Sequence, residues 1–169
     1  MGVTIHFEGK LKSQEDFDVV IEKARDFAKT KSSDIIQLNK DKKLLKRVRD
    51  DKNWDYEGAV KGIQIHPHDN SDPLILEFDK DLYIQEFCKT QFSDISTHID
   101  IIKFLRDIES HFDNLSVIDE GEFWETNDIK LLEQKFEDFF VAFDNAIQEN
   151  PKLKGPFRMG NGRIIDLME

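Results

Sequence analysis

Apolar and polar positions alternate at the start of the chain. Val3, Ile5 and Phe7 fall on one side of an extended segment, and Thr4, His6 and Glu8 on the other. This period of two predicts a half-buried strand over Val3–Leu11. The period then lengthens. Phe17, Val20, Ile21, Ala24, Phe27 and Ala28 recur at helical spacing, behind a capping-box-like start at Ser13 with Asp16 near the positive helix end. A helix is therefore predicted from Gln14 to about Lys31. Ile35, Ile36 and Leu38 suit a short strand, whereas Lys40 to Arg49 has only Leu44, Leu45 and Val48 as anchors and reads as a basic turn or short helix. Gly58–His66 and Leu74–Phe78 read as the two strands of a hairpin, separated by a stretch from His66 to Pro73 that is dense in turn formers.

Leu82 to Phe92 either extends the sheet or is irregular. Ser93 or Asp94 is placed to cap a helix whose stripe is Ile101, Phe104, Leu105, Ile108 and Phe112. Leu115–Ile118 reads as a short strand. Thr126 to Asp128 begins a last long helix, with Leu132, Phe136, Phe139, Phe140, Phe143 and Ile147 buried, and Asn150 before Pro151 ends it. Asn161 followed by Gly162 signals a type I′ turn, predicting a small terminal hairpin between Phe157–Met159 and Ile164–Ile165. The resulting order predicts an α+β fold: a ferredoxin-like split βαβ sandwich, one antiparallel sheet with helices on one face, plus an extra C-terminal helix and a short hairpin. We expect one domain over residues 1–150, with 151–169 as an extension packed on it. That topology accepts many functions, so it supplies no activity by itself.

Composition adds a constraint on partners. Trp54 to Asn150 carries 7 Lys and Arg against 23 Asp and Glu, while the flanking stretches are slightly basic. Such a body repels phosphate backbones, so nucleic acid is not expected as a partner, and neither is a membrane. Fourteen Phe residues argue against disorder. The lone Cys88 and the absence of a basic-then-apolar leader suit a cytoplasmic protein.

Three segments offer chemistry. His66, His68 and Asp69, with Asp72 behind them, are metal-ligand types in a turn, but a solvated hairpin tip is the plainer reading, and we expect no metal or cofactor. Cys88 beside Lys89 is a nucleophile only if a base such as His98 reaches it. Burial beside Phe87 is the plainer reading. Asp119, Glu120, Glu122, Phe123 and Trp124 combine carboxylates with aromatics after a strand, and Trp54 and Tyr56 share that character. Rings framed by carboxylates suit an anchor for a basic protein. The Phe-rich helix is read as core, and signatures for nucleotide, redox or hydrolase chemistry are missing.

Two functional expectations follow. The first is a protein-binding module, of the inhibitor or immunity type, that recognises a basic partner through Trp54, Tyr56, Asp119, Glu120, Glu122, Phe123 and Trp124. The alternative is a small-molecule-binding protein or enzyme with a cleft near the strand ends, holding His66, Lys89 or Glu122. An open sheet also leaves edges that a homodimer would cover.

Overall fold

A computed structural model describes residues 2–169; Met1, where the expected domain begins, lies outside the described residues. The fold is mixed α+β, with four helices and several small antiparallel sheets. In chain order these are β1 (Thr4–Lys10), α1 (Gln14–Thr30), β2 (Ile35–Leu45), β3 (Val48–Arg49), β4 (Lys52–Asn53), β5 (Tyr56–Ile65), β6 (Leu74–Phe78), β7 (Tyr83–Lys89), α2 (Ile95–Ile108), β8 (Ser116–Asp119), α3 (Phe123–Thr126), α4 (Ile129–Glu149), β9 (Phe157–Arg158) and β10 (Ile164–Ile165).

Local chemistry explains the boundaries. The Ser13 hydroxyl accepts the Asp16 amide at 3.1 Å and starts α1. Asp94, not Ser93, caps α2 by accepting the Thr97 amide at 2.7 Å. Asp128 does the same for α4 with the Leu131 amide at 3.1 Å. Each bond satisfies one of the amides that a helix start leaves without a partner. Val20, Ala24 and Ala28 form the buried stripe of α1, and Leu132, Phe136, Phe139 and Phe143 that of α4.

Two three-stranded antiparallel sheets carry the core, with orders β7-β1-β8 and β2-β5-β6. They meet at a seam between β6 and β7, which is closed at both ends. At one end the Asp79 amide donates to the Tyr83 carbonyl at 3.0 Å, and at the other the Asp72 amide donates to the Lys89 carbonyl at 2.9 Å. Helix α1 packs against β5 and α2, and α4 packs on α2 and α3. One apolar cluster joins both sheets to the helices through Ile5, Phe7, Val20, Ile63, Leu76, Phe78, Ile84 and Leu105. Each such side chain, fully buried, contributes roughly 1.5–3 kcal/mol.

Two local expectations are corrected. Lys40 to Arg49 is neither a turn nor a helix, because β2 runs through Leu45 and pairs with β5, with a register shift between Lys40 and Lys43. That irregularity breaks the apolar–polar alternation, which is why the pattern looked unstrandlike. The terminal hairpin does pair Arg158 with Ile164 and Phe157 with Ile165, but Asn161 is not left-handed and only Gly162 has positive φ, at 87°. The two-residue turn with both residues left-handed occurs instead at Asp50 and Asp51, with φ of 50° and 58°, between β3 and β4. Short polar side chains tolerate that conformation.

Gly62 marks the closest backbone approach. Its φ is +158°, and a Cβ there would collide with the Leu76 carbonyl oxygen. Gly62→Ala should therefore lose more than about 2 kcal/mol of stability in urea titration. Gly160→Ala, with open space around the Cβ, should be within about 0.5 kcal/mol of the parent.

Candidate functional site

Asp119 ends β8 and turns inward. Its residue is 4% exposed. One carboxylate oxygen accepts the Gly121 amide at 2.8 Å, and the other accepts the amides of Phe123 at 2.8 Å and Trp124 at 2.9 Å. The Nε2 of fully buried His98 lies 3.0 Å from the first oxygen. Nδ1 of that ring meets the Thr90 hydroxyl at 2.7 Å, and the same hydroxyl lies 2.8 Å from the Val3 carbonyl. Thr90, His98 and Asp119 thus form a buried chain linking β1, β7, α2 and the start of α3. It is sealed from solvent and ties these elements together. Burial alone would raise the Asp119 pKa, but the His98 bond and charge, with the Trp124 and Gly121 amides, hold it below the usual carboxylate range.

The other residues of this acidic segment also have fixed partners. Phe123 is buried. The Arg106 guanidinium lies 5.6 Å from its ring and 5.5 Å from that of half-buried Trp124, and donates to both carbonyls. Glu120 accepts the Thr4 amide at 2.9 Å and pairs with His6 at 3.4 Å. Glu122 is left-handed, at φ 57°, exposed, and paired with Lys135 at 2.8 Å. The segment expected to form one recognition surface is therefore divided, with Asp119 and Phe123 inside, Glu120 and Trp124 half-buried, and Glu122 exposed but paired.

Trp54 and Tyr56 serve an arginine. The Arg47 guanidinium sits 5.2–5.3 Å from the ring centroids of Trp54, Tyr56 and Tyr83, and it bonds Asp79 at 3.0 Å. Both charged side chains are nearly fully buried. The Arg49 guanidinium covers the Trp54 ring at 3.5 Å. The aromatic pair thus anchors the arm formed by β2 to β5 onto the β6–β7 turn, rather than standing free for a partner.

His66, His68 and Asp69 lie at the predicted hairpin tip. His68 Nδ1 accepts the Asn70 amide at 3.0 Å, and its Nε2 faces Asp94 at 3.7 Å. The His66 pKa is pushed down by burial and by the Arg158 charge, against the pull of Asp69. Among the described residues no group of three His, Cys, Asp or Glu is placed to hold a metal ion. Cys88 is fully buried, and its thiol faces the Asp72 carbonyl at 3.5 Å. Burial and the Asp72 charge push its pKa far up.

A larger concavity lies elsewhere. It runs across the sheet face opposite the helices, along the seam, and encloses about 990 Å³. Its floor includes His6, Glu8, Glu77, Gln85 and Phe87, and the arm and the loop bearing Arg163 wall it in. Gln85 laces the arm down by accepting the Val48 amide at 3.0 Å and donating to the Val48 carbonyl at 2.8 Å. Lys43 Nζ lies 2.9 Å from both Glu77 oxygens. Arg163 stacks 4.0 Å over Phe87 and pairs with Glu86. Burial raises the Glu86 pKa and Arg163 opposes it. Glu8 accepts from Gln85 at 3.1 Å and from the Tyr83 hydroxyl, and pairs with no cation among the described residues. The cleft thus offers polar groups of both signs and one aromatic face. Of the residues expected around a strand-end cleft, Lys89 pairs with Asp166 at 3.1 Å, Glu122 with Lys135, and His66 lies beside Gly162. The structure does not bring them together.

Sequence reasoning missed Glu77, Asp79, Glu86 and Arg163, and it read Asp72 only as a weak metal ligand rather than as a buried tie. A signal existed: Glu77 interrupts the apolar run Leu74–Phe78, and Glu86 stands two residues from a buried cysteine. A charge in such a place needs a partner from elsewhere in the chain.

No protein-family model, curated protein or solved structure matches this chain.

Asp119→Asn should cost about 2–4 kcal/mol at neutral pH, because His98 and three amides lose their carboxylate. A lowered folded pKa contributes stability above the ordinary carboxylate range that is lost as pH falls through it. The gap between parent and variant in urea midpoints should therefore close below about pH 4. Asp72 and Glu86, both raised by burial, act with the opposite sign in both proteins and cancel in the comparison. In the native state Cys88 should react with iodoacetamide far more slowly than free cysteine at neutral pH, and at the free rate once urea unfolds the chain.

Proposed function

We propose that this chain is a protein-binding module of the inhibitor or immunity type that recognises a basic partner. What carries the reading is the outer helical face. From Glu122 to Glu149, eight exposed carboxylates face only two lysines, Lys130 and Lys135, and Lys135 is already paired with Glu122. The excess extends across the molecule. Fourteen of the thirty-five Asp and Glu residues lie within ion-pair distance of a cation or histidine, and twenty-one do not, among the described residues. Uncompensated charge on one face speeds encounter with an oppositely charged protein.

Supporting features are coarser. A single buried thiol suits a reducing cytoplasm. Placing β1 between β7 and β8, with a helix after β1 and another after β7, is compatible with an elaborated ferredoxin-like sandwich carrying two additional long strands. A second copy of the chain is a poorer partner. The free edge β2 presents exposed Lys40, Asp41 and Lys42, and β8 is only four residues long, which are common guards against edge pairing.

A second reading is favoured by the cleft. Its 990 Å³ lies at the upper end of the roughly 300–1,000 Å³ of small-ligand sites. The paired Lys43–Glu77 and Arg163–Glu86 groups suit a polar ligand carrying both charge signs.

The first reading is tested by affinity capture from a native cell extract, followed by association kinetics on the retained protein. The retained protein should carry a Lys and Arg excess, with an association rate falling at least about tenfold between roughly 50 and 500 mM salt. A neutral or acidic partner, or a salt-insensitive rate, would overturn it.

A further inference from the structure

We infer that the groove between α4 and the terminal hairpin docks a basic segment of a partner protein that inserts one apolar side chain. This rests on the reading of the chain as a binder of basic proteins. The groove encloses about 380 Å³, between Phe92 and Phe140 on one wall and Pro156, Phe157 and Ile164 on the other, with Asp69 and Asn70 at its mouth. Its rim is apolar and open to solvent: Phe140 is 41% exposed, Phe157 38%, and the neighbouring Val141 60%. Large exposed hydrophobics gathered at one concavity are unusual on a surface this rich in charge.

The wall is pre-shaped. The Phe92 ring stands edge-on to Phe139, Phe140 and Phe143 at 5.3, 6.2 and 5.5 Å, so Phe140 is held by its neighbours and loses little freedom on binding. The charges flanking Phe140 along α4 are acidic. Glu137, Asp138 and Asp144 lie three or four residues from Phe140 or Val141 along α4 and are all exposed. That spacing places Glu137 and Asp144 on the face of Phe140, and Asp138 one turn from Val141. The one ion pair made by an α4 side chain, among the described residues, is Lys135 with Glu122. The Asp138 charge also favours the charged form of Lys135, one turn away.

The cation in the groove wall is Arg158. Its guanidinium is spent inward, on the carbonyls of Ser71 at 3.3 Å, Gly162 at 2.6 Å, and Asp69. Asp69 at the mouth, with Glu137 and Asp144 one turn either side of Phe140, thus flank an apolar slot whose lining cation is engaged. An occupant with an apolar side chain flanked by lysines or arginines matches both properties. An uncharged apolar segment would leave the carboxylates unmatched, and an acidic one would be repelled.

The test uses the full chain, labelled with ¹⁵N, and a synthetic peptide of lysines and arginines around a single Phe. The controls are the same peptide with Ser for Phe and one with Glu for Lys. Amide shifts should centre on Phe140, Val141, Phe157 and Ile164. The Ser peptide should bind at least about tenfold more weakly, and the Glu peptide should not bind. Val141→Lys and Asp144→Lys, both on exposed positions, should each weaken the Phe peptide by about tenfold with an unchanged melting temperature. Binding with a footprint on another face, or affinity within about twofold in both variants, would overturn the groove while leaving the basic-partner reading intact. No binding of any basic peptide at low salt would overturn both.

Discussion

A carboxylate withdrawn from water must find donors inside the protein, or it destabilises the fold by several kcal/mol. Three aspartates meet this constraint, and each ties together segments distant in sequence. Asp72 accepts the amides of Lys89 at 3.0 Å and Ile164 at 2.7 Å, which holds the terminal hairpin to the end of the seam. Asp79 accepts the amides of Asp81 and Tyr83 and the guanidinium of Arg47, which holds the arm to the β6–β7 turn. Asp119 gathers three amides of the α3 loop against His98 on α2. Backbone amides dominate these sets. They cost no side-chain entropy to position, and they fix the register of the turns they belong to.

These ties explain why the two sheets do not zip into one. At the seam, side chains stand where a continuous ladder would run. Arg163 reaches the Phe87 carbonyl at 3.0 Å, and Glu86 turns back on the Phe87 amide at 3.3 Å. The strands diverge between their joined ends, and the sheet face opposite the helices becomes concave. The arm, pinned by Arg47 and Gln85, then walls the concavity. Cleft and seam share one cause, the satisfaction of buried charge between β6 and β7.

The sequence was legible where periodicity is unbroken. The stripes of α1, α2 and α4 and the alternation of β1 lead to buried faces, because each reports one side of a regular element; the exception is Phe140, expected inside with its neighbours on α4 but 41% exposed at the edge of that stripe. The β2 strand was hidden because its irregular register at Lys40–Lys43 shifts the phase of its apolar positions. Asp119 and Phe123 looked like surface residues because four acids in seven residues resemble a solvated loop. Nothing local reveals that His98, twenty-one positions earlier, turns one of them inward. Trp54 and Tyr56 were recognisable as unusual, but their partner Arg47 lies in a segment whose strand was not visible. Composition identifies the kinds of side chain available for a site, and only long-range pairing decides which of them face water.

The same residue type thus has two separable roles. Interior carboxylates are consumed by amides and cations, and changing one disturbs folding. The carboxylates of α4 have almost no such partners, so changing one alters the field around the molecule with little effect on its stability. A protein built this way can vary the charge and apolar pattern of its outer helix to suit a partner, while Asp72, Asp79 and Asp119 keep the scaffold constant. The apolar slot beside α4 adds short-range selection to that field. Charge brings candidates to the face, and the fit of one side chain between Phe140 and Phe157 decides which of them stays.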